Sequence, residues 1–119
     1  MWQSPLLTIV IFSSFRPGFV AALARRLPAF PRAWLVHARQ RVVKDAPFFR
    51  WLGSDGVHPE WSLVTEESLA RWKREPAVVN AWTVNDAAEA RRLAALGVDA
   101  IISDRPGATL AALGDASKA

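Results

Sequence analysis

The chain has 119 residues, 51% of them hydrophobic and 22% charged, with a net charge of +4 and no cysteine. That length and apolar content suit one domain with a buried core. The lack of cysteine excludes disulfides, thiolate metal sites and a cysteine nucleophile.

The first apolar run, PLLTIVIF, has no Lys or Arg before it and is too short to span a bilayer. No signal peptide or membrane span is expected, and a cytoplasmic location is the expectation. The run instead predicts a parallel strand over residues 6–12, apolar on both faces. Ser13 and Ser14 read as its polar stop. Pro17 suits the first turn of a helix whose inner face would carry Phe19, Val20, Leu23, Ala24 and Leu27. Pro28 and Pro31 end that helix. Residues 33–38 predict a second strand, with His37 near its end. Residues 39–53 fit either a short helix or an aromatic loop. Val57 and His58 form a very short strand stopped by Pro59. Thr65 is a helix N-cap, with Val64 and Leu69 spaced as a hydrophobic staple, and the helix runs to Arg74 before Pro76. The basic residues Arg25, Arg26, Arg71, Lys73 and Arg74 lie at helix ends, where they complement the helix dipole. No nucleic-acid partner is expected from them.

The stretch VVNAWTVNDAAEARRLAALGVDAIISDRPG repeats the pattern most clearly. Residues 78–83 predict a strand. Asp86 caps a helix, with Glu89 three residues on as in a capping box, and Ala90, Leu93 and Ala94 form its inner face. Gly97 is a left-handed C-terminal residue. Residues 98–103 predict the next strand. Strand–helix alternation implies an α/β fold with a parallel sheet. The chemistry of such folds lies at the carboxyl ends of the strands. Those ends carry Ser13, Ser14, Phe15, His37, His58, Trp82, Thr83, Asn85, Asp104 and Arg105. Each also has a plain structural reading as cap, turn or core. The sequence shows no histidine cluster with metal spacing, no G-x-S-x-G elbow, no P-loop and no G-x-G-x-x-G.

Trp82-Thr83-Val84-Asn85, then Gly97-Val98-Asp99 and Ile101-Ile102-Ser103-Asp104-Arg105-Pro106, resemble the C-terminal signature of the glycerophosphodiester phosphodiesterase family. Ser13-Ser14-Phe15 resembles a strand end upstream of it. The DGVHPEWSLVTEESLARWK segment resembles the part between. The resemblance implies the C-terminal half of a TIM (β/α)8 barrel over residues 1–113, while the composition of residues 114–119, GDASKA, predicts a disordered tail. It implies hydrolysis of glycerophosphodiesters to glycerol 3-phosphate and an alcohol, with a divalent cation, Mg²⁺ or Ca²⁺, in the intact enzyme. The family's His-Arg-Gly, Glu-x-Asp, His-Asp and Glu-x-Lys motifs are absent from this sequence, and a full barrel needs about 250 residues. No catalytic residue and no metal ligand is therefore carried over, and the chain alone is expected to be inactive and to bind no cation. Trp82 would line the substrate pocket with Phe15, while Ser14, His58 and Asn85 are candidates for polar contacts. The alternative is a non-catalytic half-barrel that self-associates through exposed sheet edges.

Overall fold

The computed structural model describes residues 10–39, 53–74 and 77–117. Most of the segment between residues 39 and 53, and the start of the strand expected over residues 6–12, lie outside these. Five parallel strands run β1 (Phe12–Ser14), β2 (Arg32–Val36), β3 (Gly56–Pro59), β4 (Val78–Ala81) and β5 (Ala100–Ile101). The helices are α1 (Pro17–Arg26), α2 (Glu66–Lys73), α3 (Ala87–Leu96) and α4 (Pro106–Ser117), with a 3-10 turn at Trp61–Leu63. Spatial order equals sequence order, β1-β2-β3-β4-β5. Every strand pairs with the next, as in a section of a (β/α)8 barrel and unlike a doubly wound sheet.

The register explains which residues are inside. Trp34 pairs with Val57, and Val57 with Val79. All three belong to the core that includes Val20, Leu69, Trp72, Ala90 and Leu93 of the helices. Side chains alternate along a strand. Ala33, Gly56, Val78, His58 and Asn80 therefore occupy the opposite face. Several apolar groups on or beside that face are exposed: Ile11 (49%), Phe15 (45%), Val78 (46%) and Ile102 (41%).

Local chemistry sets the helix ends. Thr65 accepts from Ser68 N, and Ser68 Oγ accepts from Thr65 N, a reciprocal box. The staple residues Val64 and Leu69 both enter the core. Asp86 accepts from Glu89 N at 2.9 Å. The Glu89 carboxylate turns instead to Arg92 at 2.7 Å, so the expected box is half formed. Arg92 also donates to Val64 O at 2.9 Å, tying α3 to the segment before α2. Gly97 is left-handed, with φ 99°. Next to it, Asp99 accepts from Val79 N at 2.7 Å and pairs with Lys73, clamping the start of β5 to β4.

Some boundaries differ from those expected. Ser13 and Ser14 lie inside β1, paired with Ala33 and Trp34, because the ladder there is satisfied by backbone and not by side-chain polarity. Phe19 is 55% exposed and Leu27 39% exposed; Val20 and Leu23 alone are the buried residues of α1. Ala94 is likewise exposed. The last helix runs through Ser117, past the expected domain end at residue 113.

A Cβ on Gly56 would lie 2.2 Å from the Val78 carbonyl oxygen, whereas one on Gly18 would meet nothing within 4 Å. Gly56→Ala should therefore force β3 and β4 apart and cost about 1–3 kcal/mol or more. Gly18→Ala, in an exposed helical turn, should be neutral or stabilising by up to about 1 kcal/mol. Urea unfolding midpoints of the two variants check this.

Candidate functional site

The carboxyl ends of β1, β2 and β4 bring three rings together. Phe15 and Trp82 meet edge to face, centroids 5.7 Å apart at 81°. His37 lies 6.0 Å from Trp82 and 6.4 Å from Phe15. Trp82 is held by β3. Its backbone N donates to Pro59 O at 3.0 Å, its carbonyl accepts from Trp61 N, and its indole Nε1 donates to His58 O at 2.6 Å. Pro59 has no N–H to give, but its carbonyl still serves the ladder. The β3–β4 pairing is thereby carried past the strand ends by a bridge between Glu60 and Trp82.

Glu60 follows β3 directly. Its Oε1 accepts from Ala38 N at 3.1 Å and lies 3.4 Å from His37 Nε2. His37 Nδ1 accepts from Arg39 N at 2.9 Å. In the neutral ring the proton is thus assigned to Nε2, facing the carboxylate.

The other expected site residues are placed differently. His58 lies one layer below the rings and is only 6% exposed. Its Nε2 is 3.0 Å from Asn80 Nδ2. Asn80 Oδ1 is buried without a partner among the described residues. Burial pulls the His58 pKa down from 6.5 to about 4, so the ring is neutral at pH 7. Ser14 pairs with Trp34, which points to the helices, so its side chain leaves the sheet on that side. Its Oγ accepts from Arg16 N at 3.1 Å. Asn85 is committed at both ends. Its Nδ2 donates to Asp104 Oδ2 at 3.1 Å, and its Oδ1 accepts from Asp104 N at 3.0 Å and Ser103 Oγ at 3.1 Å. This links the end of β4 to the turn before α4, with Thr109 Oγ1 on Ser103 at 2.9 Å.

Phe15 and Trp82 are therefore brought together, with His58 beneath them through its carbonyl, while Ser14 and Asn85 serve neighbouring turns. Sequence reasoning passed over Glu60. Its signal was its position, one residue past the strand-ending His58-Pro59 pair.

A divalent cation would find few free donors at these strand ends. Glu60, Asp86 and Asp104 follow β3, β4 and β5, but each is already engaged, by Ala38 N, Glu89 N and Asn85 Nδ2 respectively. Among the described residues no three His, Cys, Asp or Glu side chains are grouped so as to hold an ion. This donor set does not fit a cation site on its own, since a hard cation takes about six or more oxygens. Among the described residues no helix is long and apolar enough to cross a membrane.

Residues 6–108 match the glycerophosphoryl diester phosphodiesterase family. No match was found among curated proteins. The fold superposes on a protein of Silicibacter pomeroyi, provisionally named a glycerophosphoryl diester phosphodiesterase, with TM-score 0.82 and 28% identity over 90% of this chain and 38% of that one. An Oleispira antarctica phosphodiesterase in complex with the product sn-glycerol-3-phosphate gives TM-score 0.77 and 26% identity over 87% and 41%. A glycerophosphodiester phosphodiesterase from Parabacteroides distasonis gives TM-score 0.76 and 22% identity over 94% and 46%. The chain thus spans less than half the length of each of these.

The lowered His58 pKa has a pH consequence. Between pH 6.5 and about 4 the unfolded chain binds more protons at this residue than the folded chain. Its contribution is full above pH 6.5 and is lost as pH falls through that window. The loss should be on the order of 2–3 kcal/mol. Unfolding free energies of the parent chain and His58→Asn, measured across the window, should converge toward low pH.

Proposed function

The chain belongs to the glycerophosphoryl diester phosphodiesterase family, and on that premise we propose that it forms the C-terminal part of a hydrolase that splits glycerophosphodiesters into glycerol 3-phosphate and an alcohol. The observation that carries this reading is the Trp82–Phe15 contact at the carboxyl ends of the strands, where barrel enzymes place their sites. Trp82 lines the pocket against the glycerol or alcohol moiety, and Phe15 buttresses it. His58 holds the Trp82 indole through its carbonyl, and Ser14 and Asn85 shape the flanking loops. The sn-glycerol-3-phosphate in the Oleispira relative supports a glycerol phosphate ligand for the shared fold.

Bond cleavage needs more than this wall. A cation, Mg²⁺ or Ca²⁺, would polarise a phosphoryl oxygen, and a general acid would protonate the leaving alkoxide. The motifs that the family resemblance assigns to those tasks do not occur in the 119 residues. The chain by itself is therefore inactive. With Mg²⁺ or Ca²⁺ it should release no glycerol 3-phosphate from glycerophosphocholine above the protein-free rate. Adding, as a separate polypeptide, the N-terminal part of a homologous barrel should restore turnover, and Trp82→Ala should lower the restored kcat/KM by tenfold or more. Turnover by the chain alone overturns the assignment of inactivity. Restored turnover indifferent to Trp82 overturns the pocket.

A second reading is favoured by the exposed apolar groups on the sheet face away from the described helices and by β1 and β5, the outer strands of the sheet among the described residues. Unpaired parallel edges recruit further strands. The isolated chain should self-associate with rising concentration in sedimentation velocity, and a monomer at all concentrations would overturn this.

A further inference from the structure

We infer that the turn over residues 27–30, with Arg25 and Arg26 just before it, docks on the surface of an anionic lipid bilayer. The turn joins α1 to β2. It lies at the amino ends of the strands, where Phe12 N donates to Pro31 O and Phe12 stands opposite Arg32. That is the end of the sheet away from the three rings. Docking there is independent of the pocket reading and leaves the ring corner facing water.

Charge is distributed unevenly along the chain. Lys and Arg occur seven times before Asp45, which is the first acidic residue. Within that stretch Arg25 and Arg26 close α1. Both are exposed, and neither side chain has an ion pair or hydrogen bond among the described residues. Asp55 stands beside the start of β2, but Arg32 matches it. Its Oδ2 accepts from Arg32 N at 2.9 Å and lies 4.0 Å from Arg32 Nη1. The two free guanidinium groups therefore complement an anionic leaflet, which attracts cations over about a Debye length.

The turn presents apolar side chains while its backbone is satisfied from within. Leu27 is 39% exposed, and Pro28 and Ala29 are exposed beside it. Leu27 N donates to Leu23 O at 2.8 Å, and Phe30 N donates to Leu27 O at 3.1 Å. The Arg32 guanidinium, its side chain only 13% exposed, donates to Phe30 O at 2.9 Å and Pro28 O at 3.4 Å. Pro28 has no N–H to satisfy. A turn with its polar groups already paired loses little on leaving water for the headgroup region. Leu27 and Ala29 then gain apolar contact, while Arg25 and Arg26 keep their charged ends among the phosphates. A nucleic acid would use the arginines but offer nothing to Leu27 and Ala29. It would also want a free ring to stack on, and Phe30 is engaged edge to face with Phe12, centroids 5.6 Å apart.

The test floats the full chain with vesicles through a density gradient, which leaves any self-associated chain behind. The vesicles are phosphatidylcholine alone, or phosphatidylcholine with about 30% phosphatidylserine. The anionic vesicles should carry the chain at about 50 mM salt and release it at about 500 mM. The neutral ones should bind it about tenfold more weakly or not at all. Arg25→Ala with Arg26→Ala, at exposed positions in a helix that alanine suits, should weaken binding about tenfold without lowering the melting temperature. Arg25→Lys with Arg26→Lys should retain it. Leu27→Ser should weaken it several-fold at unchanged charge, whereas Leu110→Ser, at a 71% exposed position on α4, should not. Equal capture by neutral vesicles, capture that persists at high salt, or no capture at low salt overturns the inference. A folded Arg25/Arg26 double variant that floats like the parent chain overturns it as well. So does binding of a duplex oligonucleotide without binding of anionic vesicles.

Discussion

The site depends on the pairing of β3 with β4. It begins where Gly56 lets the Val78 carbonyl approach closer than any side chain would allow. It continues through Val57 and Val79, both in the core, and does not stop at the strand ends. The Trp82 backbone donates to Pro59 and accepts from Trp61, and its indole reaches back to the His58 carbonyl. One tryptophan is thus held by three hydrogen bonds to the neighbouring strand and its extension, two from its backbone and one from its indole. Such over-determination fixes the orientation of the Trp82 side chain at the strand end.

The rest of the architecture follows from that central pair. Parallel strands need crossovers, and the crossovers described here put helices on the face that carries Trp34, Val57 and Val79. The other face is mixed in character. Its middle layer holds a buried neutral histidine against an asparagine, and its margins expose Ile11, Phe15, Val78 and Ile102. A closed barrel fills its interior with side chains from all of its strands. The five described strands supply only part of that filling, and among the described residues apolar groups at the margins are exposed and the Asn80 Oδ1 has no partner.

Much of the local structure was legible. Thr65, Asp86 and Gly97 act as helix ends because their short polar side chains or lack of a Cβ suit them to those positions irrespective of what lies nearby. The GVD signature acquires a structural reason: Gly97 ends a helix and Asp99 binds the β4 backbone. Site residues were less legible. Ser14 and Asn85 sit at the right strand ends, yet side-chain direction sends one to the helix side and hydrogen bonding closes the other into a turn. Glu60 lacks any local mark. Its importance arises from His37, which is 23 residues earlier and arrives through a neighbouring strand.

What the amino-acid sequence by itself determined is the order of strands and helices, their caps, and the family to which they belong. Those follow from periodicity, turn chemistry and a motif, all read within a few residues. Only the tertiary structure decided which strand-end side chains share a corner. Register settles that, since a shift of one residue sends a side chain to the opposite face. The register here was set by the close approach at Gly56 and by core packing between residues distant in sequence. The meeting of Phe15, His37, Glu60 and Trp82 is a consequence of that register.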